Sequence, residues 1–260
     1  MASTIVTMCT DFGTRDGYVA AIKGVMLGIA PHLTLVDISH EVAPQAVAEG
    51  AFLLGSAYRY FARGTVHLVV VDPCVGSERR ALAVRTEQHA FVAPDNGVLT
   101  HVLRRERVIS AVSLEERAYW REPVSNTFHG RDVFGPVAAH LASGVPLDAL
   151  GPPAADLVTL DWPAPARRGA LLVGHVAHVD RFGNVISDIP AGLLPPGQVR
   201  EVTVGALGVD RLLGTYAEAP AGQPLALIGS HGYLEVAVRE GSAGATSGAR
   251  VGDEVRVHLA

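Results

Sequence analysis

Lysine is nearly missing from this chain. Lys23 is the only one among 21 basic residues in a length of 260, and 26 acidic residues leave a net charge of −5. Scattered arginines on an acidic balance give no basic field for holding a nucleic-acid backbone, so a polyanionic partner is excluded. Cysteine is almost as scarce. Cys9 and Cys74 are too few for a disulfide framework, and a reducing compartment would leave both as thiols. No apolar run reaches the ~20 residues that a membrane span needs. The N-terminus, MASTIVTMCTDFG, lacks the basic start and long apolar stretch of a secretory signal. The expectation is a cytoplasmic protein. What is abundant is ordinary apolar sequence: 48% hydrophobic residues against 18% charged supports a packed core and argues against disorder.

Strand-like and helix-like pieces alternate up to residue 151. TIVTMCT (4–10) and LTLVDIS (33–39) read as strands. Residues 16–30 form an amphipathic helix with Tyr18, Ile22, Val25, Met26 and Ile29 on one face, and 46–62 a largely buried helix. VHLVVVD (66–72) is nearly continuous in β-branched residues, as suits a strand covered on both faces. Two shorter strands, ALAVRTE and HAFVAPD, run into a turn at Asn96-Gly97, and a helix over 131–143 closes the region. This pattern predicts an α/β domain (1–151) with a mostly parallel central sheet flanked by helices. Residues 152–168, with Pro152, Pro153, Pro163 and Pro165, read as a linker. From 169 to 260 the pieces are short, β-rich and separated by Gly or Pro turns, which predicts a smaller all-β domain, barrel or sandwich.

Three motifs fall at the ends of predicted strands, where ligands of open α/β sheets collect: TDFG (10–13), VDPCVGSERR (71–80) and TFHGRD (127–132). Asp11 suits the vicinal hydroxyls of a ribose, or equally a cap for the helix beginning near Asp16. Asp72 ends the most buried strand, and the Pro73–Gly76 turn can fold Arg79 back toward it; as a bare pattern this is also a common structural loop. Arg80 reads as a solvated neighbour. His129 is suited to accepting a proton near neutral pH, and Gly130 to close approach of a ligand, while Arg131 and Asp132 read as a surface pair and a helix-start charge. DISHE (37–41) matches no established metal spacing, and capping or turn roles fit it better. In DRFGN (180–184), Phe182 could stack on a base and Asn184 read an adenine edge, against a plain hairpin turn with a core phenylalanine. GSHGYLEVAVREGSA (229–243) places Ser230 and adjacent amides where they could hold a carboxylate.

Taken in order, TDFG…DGYVAAIKG, VDPCVG…RR, PDNG, FHGRD, DRFGN and GSHGYLEVAV…GSA resemble the S-adenosyl-L-methionine (SAM) hydrolase family, also called SAM hydroxide adenosyltransferases, which is similar to the fluorinases and chlorinases. The resemblance implies an α/β domain, a β-barrel-like C-terminal domain, and a homotrimer with active sites at subunit interfaces. It implies that Asp72, Arg79 and His129 activate water and that Asp11 binds the ribose. Phe182 and Asn184 would contact adenine, Asp180 and Ser230 the methionine end, with Tyr18, Gln45 and Tyr216 as pocket wall. SAM is then substrate, adenosine and L-methionine are products, and neither a cofactor nor a metal is called for. The alternatives are a halide-dependent SAM halogenase, a non-catalytic SAM or adenosine binder and, last, a metal-dependent phosphoesterase. Cys74 replaces the first glycine of the usual VDPGVG loop, which would carry a steric penalty if that position needs positive φ.

Overall fold

The computed structural model describes residues 4–260, which divide into two compact units, one ending at Leu160 and the other beginning at Asp161. In the first, strands β1 (Ile5–Thr10), β2 (Thr34–Ser39), β3 (Val66–Val70), β4 (Ala81–Thr86), β5 (Ala90–Pro94) and β6 (Val108–Ser113) form one sheet in the order β2-β1-β3-β5-β4-β6. The β1–β2, β1–β3 and β3–β5 pairings are parallel, while β4–β5 and β4–β6 are antiparallel. The sheet is therefore mixed: its pairings are mostly parallel, and β4 alone runs against the other strands. Only residues 87–89 separate β4 from β5. So short a connection can make a hairpin but not the crossover that a parallel pair requires.

Helices α1 (Tyr18–Ile29) and α4 (Gly135–Ala142) cover one face, where Val19, Ile22, Met26, Val137 and Leu141 meet Val6, Met8, Leu68 and Val70. On α1 the buried stripe runs through Val19, Ile22 and Met26, and Tyr18 lies half exposed outside it. Helix α2 (Val47–Ala57), with the one-turn α3 (Thr100–Leu103) beside it, covers the other face, where Leu54 and, just past α2, Tyr58 pack among Val69, Val71, Leu82, Val84 and Phe91. Both faces of β3 are thus covered, as its apolar run demands, and every residue of the strand is buried.

The second unit is all-β but for one short helix. Its strands β7 (Ala166–Arg168), β8 (Leu171–Val179), β9 (Val185–Pro190), β10 (Val199–Val204), β11 (Leu207–Val209), β12 (Pro224–Ile228), β13 (Tyr233–Val238) and β14 (Glu254–Leu259) pair antiparallel, in the order β11-β10-β14-β8-β9-β13-β12 with β7 on β8. A Leu212–Ala226 bridge brings the two ends of this path together, giving a nearly closed, barrel-like sheet. The helix α5 (Ala243–Ser247), too short to show a periodic pattern, is one turn started by the Ser242 hydroxyl, which accepts from Ala245 N–H. Of the segment read as a linker, Pro153 bridges to Val112 in the first sheet and Ala166–Arg168 is β7. No helix among the described residues is long and apolar enough to cross a membrane.

Candidate active site

Strands β1 and β3 run parallel with Thr10 opposite Val70, so Asp11 and Asp72 leave the carboxyl ends of two adjacent strands, whose axes lie about 4.8 Å apart. The loop after β3 turns back at once: Val75 N–H donates to Asp72 C=O, and Gly76 takes φ +81°. That reversal carries Arg79 onto Asp72. Its Nε lies 3.0 Å from both Oδ1 and Oδ2, and Nη2 also donates to Oδ2. The two side chains are only 9% and 5% exposed, which makes this a bidentate pair held largely out of water. The guanidinium carbon sits 5.1 Å from the ring centre of buried Phe134.

The same Nη2 reaches His129 Nδ1 at 2.9 Å. Arginine only donates, so Nδ1 must accept, and the proton of a neutral imidazole then resides on Nε2. Burial, and then the Arg79 charge, push the His129 pKa below its ordinary value, against Asp72 and Asp132. His129 is therefore a neutral imidazole in this arrangement, with its N–H at Nε2.

The neighbouring loops are laced together. Asp11 Oδ2 accepts from Gln45 N–H at 2.8 Å, and Gln45 adopts φ +67° to make that bond. Asp11 does not cap a helix: α1 begins at Tyr18, after Gly17, with no side-chain cap. Tyr18 packs edge-on against Phe128 and beside Phe12. Together with Ser125, Thr127 and Arg131 these rings line a cavity of about 380 Å³ next in sequence to His129. A Cβ on Gly130 would stand 3.3 Å from the Phe12 ring and 3.2 Å from Ile22, so the close approach its small size permits is to these side chains. A larger cavity, about 650 Å³, lies where β3 and β5 begin, at Val66 and Ala90; it holds none of these groups.

Two expectations change, those for Asp132 and Arg80, and the conditional one for Cys74 is resolved. Asp132 is not a surface charge: it is 0% exposed and accepts from Arg121, from Arg131 and from Ser125 N–H. Arg80 is not merely solvated, since it binds Asp95 and the carbonyls of Ala155 and Asp156. Cys74 needs no positive φ; in that loop only Gly76 does. Cys74 is exposed and free, while Cys9 is buried, its thiol pushed up to about 12 by burial and the nearby Glu49 and Asp11 charges. The DISHE residues are used structurally: Asp37 binds Lys23 and His40, and His40 Nδ1 meets the Thr10 hydroxyl at 2.8 Å. No group of three His, Cys, Asp or Glu side chains suited to a metal occurs among the described residues.

In the second unit, Asp180 organises the β8–β9 turn. Its Oδ1 accepts from Phe182 N–H and Asn184 N–H, and its Oδ2 from the Asn184 amide at 3.1 Å. Phe182 is 78% exposed, so it is not a core residue. Tyr216 donates to Glu235, a 3% exposed carboxyl on β13 that sequence reasoning passed over. Its signal was a lone acid inside the apolar run YLEVAV. Burial, then the Asp180 charge, raise the Glu235 pKa against the Tyr216 bond. Ser230 is exposed in the turn between β12 and β13.

The chain is similar to known proteins over nearly its whole length. The SAM hydroxide adenosyltransferase N-terminal domain matches residues 6–151 and the corresponding C-terminal domain residues 174–256. An (R)-S-adenosyl-L-methionine hydrolase of Thermus thermophilus is 40% identical, over 97% of this chain and 98% of that one. A fluorinase of Actinoplanes sp. is 32% identical over 90% of each. An uncharacterized conserved protein from Thermotoga maritima superposes with a TM-score of 0.92 at 36% identity, covering 98% of this chain and all of its own. The chain belongs to the SAM hydroxide adenosyltransferase family.

Proposed function

We propose that this protein hydrolyses SAM to adenosine and L-methionine by attack of a water-derived oxygen on the ribose C5′. The observation that carries the reading is the Arg79 guanidinium bridging Asp72 and His129. It is joined by the 37–40% identity to relatives named (R)-S-adenosyl-L-methionine hydrolase.

The leaving group departs as a neutral thioether, so nothing need protonate it. The C5′–S bond breaks with its electron pair on sulfur, the O–C5′ bond forms, and the attacking oxygen sheds a proton. What the protein has to supply is an oxygen aligned opposite sulfur, since alignment contributes about 7–11 kcal/mol in favourable cases. The His129 Nε2–H and the Arg79 charge favour a hydroxide-like oxygen, and the lone pairs of Asp72 not taken by Arg79 receive its proton. Asp11 holds the ribose hydroxyls through lone pairs left by Gln45 N–H, with Tyr18 and Gln45 in the wall. Phe182 stacks on adenine, Asn184 reads its edge, and Asp180 and Ser230 take the amino-acid end beside Tyr216. The Asp180 role is narrowed by the three bonds its carboxylate already accepts. The working form is a cytoplasmic homotrimer with active sites at subunit interfaces.

Incubation with SAM in ¹⁸O-labelled water, with and without chloride or fluoride, tests the reaction. Adenosine carrying one labelled 5′ oxygen, formed equally without halide, is expected. A 5′-halo-5′-deoxyadenosine would establish the halogenase reading, and binding without turnover the non-catalytic one.

The pH dependence follows from the imidazole. His129 must be neutral to accept from Arg79, and its pKa lies below the ordinary value of 6.5. Turnover should rise with pH through an acid limb centred below 6.5 and then level off as far as His129 is concerned. A limb centred at or above 6.5 would contradict the assignment.

A further inference from the structure

We propose that Asp95 and Asn96 are positioning residues, gripping from both ends the loop that carries Asp72 and Arg79. The inference rests on the function proposed above for what the loop does, and on geometry alone for how it is held. The parallel ladder between β3 and β5 runs through Val66–Ala90, His67–Phe91 and Leu68–Val92. Four residues past Val92, the Asn96 side chain takes over. Its Nδ2 donates to Val71 C=O at 2.8 Å, while its Oδ1 accepts from Val98 N–H at 3.2 Å.

The Val71 carbonyl and the Asp72 nitrogen belong to one planar peptide unit. Fixing the carbonyl therefore fixes the plane from which the Asp72 side chain departs. At the far end of the loop, Asp95 N–H donates to Arg80 C=O at 3.0 Å, and the Asp95 carboxylate, 3% exposed, accepts from Arg80 Nε at 2.8 Å. Arg79 is thereby held one residue from an anchored carbonyl. Asp95 is itself anchored, because its Oδ1 accepts from Val158 N–H at 2.8 Å. The tip of the loop is held by packing: a Cβ on Gly76 would stand 2.5 Å from the Asn126 carbonyl, three residues before His129.

The loop is thus fixed at its start, end and tip, and the side chains of Asp95 and Asn96 supply two of those three restraints. Neither residue lies in the Asp72–Arg79–His129 network. Their effect on turnover passes through the orientation of Asp72 and Arg79.

Asn96→Asp is the discriminating variant. It keeps the volume and the acceptor for Val98 N–H, and it replaces the donor to Val71 C=O with a carboxylate oxygen. Turnover should fall between about tenfold and 10²-fold, the scale of an ångström-level misplacement, with KM for SAM within about threefold. The nitrogen NMR signals of His129 should move as well, because its Nδ1 partner is displaced, and a merely structural turn would leave them in place. If the wild-type protein does not convert SAM, the proposed function falls while the His129 signals still test the grip. Unchanged kcat and unchanged imidazole signals in a folded Asn96→Asp protein overturn the proposal. Should that variant not fold, Asp95→Asn takes its place, since it keeps the acceptor for Val158 N–H and removes only the charge facing Arg80. The same readouts then decide.

Discussion

Arg79→Lys is expected to lower kcat by on the order of 10²-fold or more, about 2.7 kcal/mol of barrier, with SAM binding largely kept. A lysine keeps the charge, so Coulomb attraction alone would predict a mild effect. The geometry argues otherwise. The guanidinium meets two oxygens of Asp72 through Nε and Nη2, and the same Nη2 reaches His129 Nδ1, so one rigid plane sets the angle between carboxylate and imidazole. That plane lies over the Phe134 ring, 5.1 Å from its centre. An ammonium on a flexible stem can bond to one partner or wander between them, but it cannot reproduce a fork or its stacking. It would also leave the tautomer of His129 unspecified. Asp72→Ala and His129→Ala should each fall to a similar level, and a double variant hardly further, because groups acting as a unit are not additive. Steady-state turnover with calorimetric SAM binding reads both quantities. Full activity in Arg79→Lys would show that charge, and not the fork, is what the site needs.

Much of this arrangement is legible in the sequence because it is local. The apolar run of β3 announces a doubly covered strand, and Pro73 with Gly76 announces the reversal that returns Arg79 to Asp72 seven residues later. The reversed direction of β4 within a mostly parallel sheet also had a cue, the three-residue gap between β4 and β5. Other features have no local cue. The Asn96–Val71 bond spans 25 positions, and no spacing rule marks an Asn in a turn as the keeper of a distant carbonyl. The tautomer of His129 has no local cue for the same reason: it is set by an arginine 50 residues away. The π-helical turn Gly130–Phe134, which leads straight into α4, likewise gives no periodic signal over five residues. Asp132 shows how composition misleads, since an acid after an arginine at a helix start looks like surface chemistry.

Asp132→Ala should therefore be among the more damaging changes outside the network, lowering stability by roughly 2–3 kcal/mol and Tm by roughly 5–10 °C. The carboxylate is 0% exposed and satisfies Ser125 N–H at 2.9 Å, Arg131 Nε at 2.7 Å and Arg121 Nη1 at 3.2 Å. Removing it strands a backbone donor and two cations. The estimate stays below the full cost of breaking a buried pair because the two arginines are 30% and 41% exposed and can turn to water. The pH dependence has a definite sign. Burial opposes ionisation, but the hydrogen bonds from Arg131 and Ser125 N–H and the Arg131 charge outweigh it, so the folded-state pKa lies below the ordinary carboxyl value of 3.8. A group depressed in this way stabilises fully above its unfolded pKa and loses that contribution as pH falls through the folded value. The wild-type advantage over Asp132→Ala should hold at neutral pH and shrink only below about pH 4. Asp132→Asn, which keeps the acceptor for Ser125 N–H but not the charge, should fall between the two. Because residues 121–132 carry Phe128 and His129, both variants should lose turnover along with stability. Thermal melts from pH 7 to pH 3 decide the matter: an Asp132→Ala protein as stable as wild type at neutral pH would mean that the arginines hold the segment without it.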